Sequence, residues 1–306
     1  MEIKKLAVLS LVLILLLGLV GCLNDDNSTK HDLATGSKRD KRGEVIVDRN
    51  DSVNLGAMVT VAAGTTSADN GSINLNYDIE IGKYEVTYAE FIKFLNSAGV
   101  ASDGSYQGKK IIDIDNPLSS PVSYDGRFYF TGKLNGMDNA LNKDTPVIKV
   151  SWYGAVAYCN WLSKQEGLIP AYDLSSWELK SSDKSTLDGY RLPTKKEWEY
   201  AARGGANGEA TTYAGSNTID DVAWYPENAK WKPHPVGQKQ ANELGIYDMS
   251  GNVWEWTNSL GRSRRFLCGG SFGSTLFGYL EVGRGRHKTL PDFFSPNYGF
   301  RICKTK

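Results

Sequence analysis

Histidine is scarce in these 306 residues: His31, His234 and His287 are the only three, and they lie far apart. That scarcity speaks against a histidine-rich metal centre and against a His-based catalytic triad. Cysteine is almost as rare, with four residues and no C-x-x-C spacing, so zinc and thioredoxin-type readings have no support. Neither charge sign is in excess, since 35 basic residues face 35 acidic ones. Phosphate neutralisation needs a concentrated surplus of Lys and Arg, so a nucleic-acid partner is not expected. What the chain does have is glycine, 32 residues, and 11% aromatics with eight Trp. That mixture describes a loop-rich globular chain, long enough for one large domain or two ordinary ones.

The N-terminus reads as a targeting segment. Lys4 and Lys5 precede an apolar run, Leu6 to Val20, that is too short to span a bilayer comfortably. It ends in Leu19-Val20-Gly21-Cys22, which resembles a bacterial lipobox. The resemblance implies a signal peptide over residues 1–21 and a lipidated Cys22. The other reading is an ordinary secretory signal with a chance Cys. Residues 22–54 are polar, poor in aromatics and unable to bury enough surface to fold, so they read as a flexible tether. The expected location is the bacterial cell envelope, lipid-anchored in the outer membrane and facing the cell surface. With Cys22 used for lipid, Cys159, Cys268 and Cys303 remain, an odd number that allows one disulfide or none.

Three helix starts are legible in the folded region, residues 55–306. Thr87-Tyr88-Ala89-Glu90 is a capping box followed by Phe91, Phe94, Leu95 and Ala98 on one face. Ser151 can cap a second helix with the stripe Ala155, Tyr158, Cys159 and Leu162, stopped at Gly167. Thr194-Lys195-Lys196-Glu197 is another capping box, with Gly204-Gly205 beyond it. Short strands, tight turns and ordered loops are expected elsewhere, which makes an α+β domain.

Several motifs then carry a family resemblance. They are Gly82-Lys83-Tyr84-Glu85-Val86-Thr87, Ala157-Tyr158-Cys159-Asn160-Trp161-Leu162, Tyr190-Arg191-Leu192-Pro193-Thr194, Gly245 to Trp256, Gly269-Gly270-Ser271 and Gly299-Phe300-Arg301. In this order they resemble the formylglycine-generating enzyme family, also called sulfatase-modifying factors. The resemblance implies a formylglycine-generating-enzyme-type C-type lectin fold. It also implies a copper-binding cysteine pair three and eight residues after the Gly-Gly-Ser, where this chain has Ser274 and Tyr279. Hydroxyls cannot replace thiolates toward Cu(I), so no catalytic residues and no required cofactor are expected. By the same resemblance Asp248, Glu255 and the carbonyls of Gly251 and Val253 match a structural calcium site. The alternative there is a plain turn with Glu255 bonded to backbone amides. The enzymes also bridge the second helix to the residue after Gly-Phe-Arg, which suggests Cys159–Cys303; Ile302 shifts the cysteine by one place. Trp152, Trp161, Trp198, Trp254 and Trp256 sit inside scaffold motifs and are expected in the core.

The C-terminal segment has a restricted alphabet. Between Arg262 and Arg301 only Glu281 and Lys288 belong to the set Glu, Lys, Gln, Met and Trp, against fourteen such residues between Ala201 and Leu260. This resembles the variable region of proteins diversified by retroelements, in which adenine-directed mutagenesis rewrites Asn codons. The resemblance implies a variable ligand-binding region over about 262–301, with Phe272, Ser274, Phe277, Tyr279, His287, Thr289, Leu290, Phe293 and Phe294 forming one solvent-facing patch. A surface-displayed, monomeric receptor or adhesin for a protein or other surface molecule follows. Two other readings stand beside it: an oxidase with an unrecognised cofactor site, and an inactive relative whose aromatics are simply core.

Overall fold

A computed structural model describes residues 56–306 apart from positions 70, 117, 118, 139 and 286. The expected signal peptide, Cys22 and tether lie outside the described residues.

The three helices start where their caps are written. In α1 (Tyr88–Ser97) the Thr87 amide donates to Glu90 Oε2 at 2.8 Å and the Thr87 hydroxyl accepts from the Glu90 amide. In α2 (Trp152–Gln165) the Ser151 hydroxyl accepts from the Gly154 amide at 3.2 Å. The capping box of Thr194 and Glu197 opens α3 (Lys195–Ala202). Each cap satisfies backbone donors that a helix start leaves without partners. Nearly every residue from Gly154 to Ser163 is buried, which marks α2 as the central helix and not an amphipathic surface one.

Seven strands position the site: β1 (Met58–Val61), β2 (Ile79–Gly82), β3 (Trp254–Gly261), β4 (Arg264–Cys268), β5 (His287–Thr289), β6 (Tyr298–Gly299) and β7 (Cys303–Thr305). Strand β2 is central in an antiparallel sheet with β1 and β7. The second sheet has the order β5-β4-β3-β6, antiparallel except for the parallel β3–β6 pair. Glu255 on β3 lies opposite Cys268 on one side and Gly299 on the other. The segment between Cys268 and Gly299 therefore leaves and rejoins the sheet on either side of one residue.

One core gathers α1 and α2, with Phe91 and Tyr158 packed against Phe300 and Phe94 packed against both of them. A second lies between β1, β2 and α3 and includes Trp198, Met249, Cys268 and Cys303. All five scaffold tryptophans are buried, as expected of core residues. Among the described residues no helix is long and apolar enough to cross a membrane. Cys159 and Cys303 are both buried but not bridged, contrary to the expected pairing. Cys303 Sγ instead accepts from Arg191 Nη1 at 3.0 Å, and the same guanidinium forms a buried ion pair with Glu197.

Candidate ligand-binding face

The face begins at the turn after β4. Gly269 and Gly270 adopt φ of 94° and 77°, a region that side chains disfavour. A Cβ on Gly270 would also meet the Tyr279 carbonyl oxygen at 2.8 Å and Leu280 Cδ2 at 2.6 Å. Glycine there lets the loop of residues 274–282 fold back over the turn. Ser271 and Ser274 close it: the Ser271 amide donates to Ser274 Oγ at 2.9 Å and the Ser274 amide to the Ser271 carbonyl at 3.0 Å. The Ser274 hydroxyl is thus a buried turn cap, in the place where the resemblance puts the first copper cysteine.

Beyond the turn, aromatic rings follow one another across the surface. Phe277 packs edge-on to Tyr225 with centroids 5.9 Å apart, and Tyr279 sits edge-on to Trp254 at 5.4 Å. His287 lies 5.7 Å from the same indole, and its Nε2 is 2.6 Å from the Tyr298 hydroxyl. Phe293 then covers Tyr298 at 6.0 Å. Burial pulls the His287 imidazole below its usual pKa, with Arg264 adding to the effect, and pushes the Tyr298 phenol up to about 12. Both groups are therefore neutral at pH 7. Backbone bonds from Lys149 to Ser295 and from Trp152 to Pro291 fasten the 291–295 loop to the start of α2.

The nine expected patch residues divide into three groups. Phe277, Tyr279, Leu290 and Phe293 are exposed at 48%, 38%, 44% and 50%, and Leu276, which the sequence reading left out, joins them at 60%. His287 and Phe294 are half-buried. Phe272, Ser274 and Thr289 are buried, so the expectation of a single solvent-facing patch is corrected for these three. Phe272 is drawn inward because its amide donates to the Asn252 carbonyl at 2.8 Å. Thr289 pairs with Arg265 in the ladder and points inward, while the intervening Lys288 is exposed.

Beneath this face lies a buried charge cluster. Glu255 is fully buried; Arg301 donates to it through Nε at 2.7 Å and Nη2 at 2.6 Å, and Trp198 Nε1 donates at 2.6 Å. Its partners are thus a guanidinium and an indole, not the backbone amides of the plain-turn reading. Arg301 also donates to the carbonyls of Gly82 and Tyr247. Asp248 Oδ2 accepts from the Gly237 amide at 2.7 Å, whereas its Oδ1 is buried without a partner. Glu85, in the Gly82–Thr87 motif, is also fully buried with Oε1 unpartnered. Burial, followed by repulsion from Asp248, holds the Glu85 carboxyl well above its usual pKa; burial lifts Asp248 to about 6.

Three buried carboxylates share one guanidinium here, so the cluster has room for further positive charge. The hard, orphaned Asp248 oxygen suits the calcium that the fold family implies. Asp248, with the Gly251 and Val253 carbonyls, would hold that ion, which would supply charge neutralisation and rigidity. Glu255 would share its oxygens with Arg301. Among the described residues no three His, Cys, Asp or Glu side chains form a metal cluster on their own, so carbonyl ligands are required.

The sulfatase-modifying factor enzyme 1-like domain model matches residues 44–306, nearly the whole length. The chain belongs to this family. Among family relatives, the chaperone protein LppX of Paenibacillus barcinonensis is 37% identical over 189 residues, covering 50% of this chain and 68% of LppX. The inactive C-alpha-formylglycine-generating enzyme 2 of Mus musculus is 34% identical over 182 residues, 53% of this chain and 50% of that protein. The chain thus spans about half to two thirds of the length of these relatives. Treponema denticola variable protein 1 superposes with a TM-score of 0.55 at 26% identity, covering 81% of this chain and 95% of that structure. The C-type lectin-like fold of the sulfatase-modifying factors, loop-rich with short strands, is therefore the fold of this chain.

Proposed function

We propose that this protein is a non-catalytic, lipid-anchored member of the sulfatase-modifying factor family that binds a ligand through its C-terminal segment. The exposed aromatic face carries the reading. Leu276, Phe277, Tyr279, Leu290 and Phe293 are large apolar side chains in solvent, on loops held by a buried framework, and such patches mark interaction sites. Their ordering cost is met when the domain folds, and rigid aromatic side chains supply contact area with few rotors. The likeness to a variable protein supports diversification of this segment by a retroelement. The likeness to an inactive formylglycine-generating enzyme supports the loss of oxidase chemistry, as does a Ser274 hydroxyl locked into a turn.

In this reading Cys22 holds the domain at the outer surface of a bacterial envelope as a monomer, and the ligand is a protein or another surface molecule. Replacing Phe277, Tyr279, Leu290 and Phe293 jointly by Ser tests it. Binding of the labelled domain to cell surfaces, read by flow cytometry, should be lost while the melting temperature holds. Unfolding of the quadruple variant would show that these side chains are core and remove the main support. Flanking DNA with an adenine-rich template repeat and a reverse transcriptase gene is the expected genomic context.

A further inference from the structure

The aromatic face is bordered by charge, and the charge differs between its two ends. Strand β5 pairs with β4 so that Lys288 lies opposite Phe266 and Thr289 opposite Arg265. The Lys288 ammonium sits 5.7 Å from the centre of the Phe266 ring. In the β3–β4 hairpin Arg264 is paired with Gly261, and a Cβ on Gly261 would come within 3.7 Å of Lys288 Cδ. Register thus gathers Arg264 and Lys288 beside Leu290, the residue after Thr289, with Arg262 in the hairpin turn. All three cations are exposed, and none of them forms an ion pair among the described residues. Arg265, by contrast, is buried and spends its charge on Glu178. Asp292 is exposed on the same flank and offsets part of the surplus, which stays positive. The far end is different. Phe277 packs on Tyr225, whose hydroxyl donates to Asp220 Oδ1 at 3.0 Å. Asp220, Asp221 and Glu227 are exposed on the short helical turns either side of Tyr225, Ile219–Val222 and Pro226–Ala229. Lys239, which bonds the Asp220 carbonyl, and the exposed Lys230 offset part of that charge and leave this end weakly acidic.

We propose that the ligand is a protein surface with an acidic patch beside an apolar one, and that Arg262, Arg264 and Lys288 receive the acidic patch. The proposal rests on the ligand-binding reading and names the chemistry of the partner. An aromatic centre with a charged rim is the anatomy of a protein–protein interface. A uniform polyanion, such as a nucleic acid or an acidic glycan, would gain at the Leu290 end but meet like charge at the Asp220 end. A protein whose acidic groups are confined to one side fits both ends, and in one orientation. Rim cations act chiefly on encounter, so their contribution belongs to the association rate and its salt dependence.

Random peptides displayed on phage are the probe, selected on the full chain. Wild type should enrich peptides that join Asp or Glu to aromatic or aliphatic residues. Arg262→Ser, Arg264→Ser and Lys288→Ser combined should slow association of an enriched peptide at least about tenfold at low salt. The same triple variant should flatten the salt dependence and leave dissociation nearly unchanged. Should it fail to fold, Lys288→Glu alone and a salt titration of wild type take its place. If wild type enriches nothing over the joint Ser variant of Phe277, Tyr279, Leu290 and Phe293, the ligand-binding reading falls and this proposal with it. If the enriched peptides need those four side chains but carry no acidic surplus, only this proposal falls. Association with the triple variant at the wild-type rate, or a wild-type rate indifferent to salt, also overturns this proposal alone.

Discussion

The bracket and the loop it encloses are built on opposite principles. At the bracket, Arg301, Glu255 and Trp198 are buried and joined by bonds of 2.6–2.7 Å, and the Gly-Gly-Ser turn is closed by its own hydroxyls. In the loop, Leu276, Phe277, Leu290 and Phe293 are 44–60% exposed. One region spends charge and hydrogen bonds on a single geometry; the other leaves apolar area unspent. A patch that need not fold the protein is free to change, provided the bracket holds it.

The contrast breaks hardest at Arg301. Arg301→Ala leaves Glu255 as an uncompensated buried charge and strips two carbonyls of their donor, so a loss of about 3–5 kcal/mol is expected in denaturant melts. Phe272→Ala follows at about 3 kcal/mol, because this ring lies on the bracket's side of the boundary. A retained melting temperature would return Phe272 to the variable face. Thr194→Ala removes half of the α3 capping box and should cost about 1 kcal/mol by the same assay.

A pH profile sharpens the contrast further. Burial alone would raise the Glu197 carboxyl, but the buried Arg191 guanidinium, with bonds from Thr194 and Tyr77, holds it below its usual value. A lowered folded-state pKa contributes stability above the unfolded value near 4.3, which is lost as pH falls through the folded one. Acid melts of wild type should show that loss below about pH 4, and Arg191→Met should flatten it. Smallest per substituted residue is the effect of Ser at Phe277, Tyr279, Leu290 and Phe293, expected to stay within about 0.5 kcal/mol at each site.

Local chemistry made the helices legible. Thr87, Ser151 and Thr194 each cap a helix whose first hydrogen bonds lie within three residues, so sequence spacing was enough. Burial in the C-terminal segment was not legible, because β5 is three residues long and alternation over so few positions does not say which side faces the core. Phe272 and Phe277 look alike as letters; only the Asn252 carbonyl, twenty positions earlier, separates them. Glu255 was marked as a site residue, but its true partner, Arg301, is 46 residues away. Glu85 was read only as part of a family motif and not as a site residue. Its burial had no signal in the Gly82–Thr87 motif, where Lys83 is as charged a letter.

The register at Glu255 has a consequence for exchange. With Cys268 on one side of it and Gly299 on the other, the two ends of the loop stand two strand spacings apart, about 10 Å. That gap is set by the sheet and not by the thirty residues that bridge it. Loop closure costs only about 0.6 kcal/mol per doubling of length. Length can therefore vary in the exposed stretches of the segment, while strand β5 and the buried Phe272, Leu280 and Val282 stay fixed to the domain.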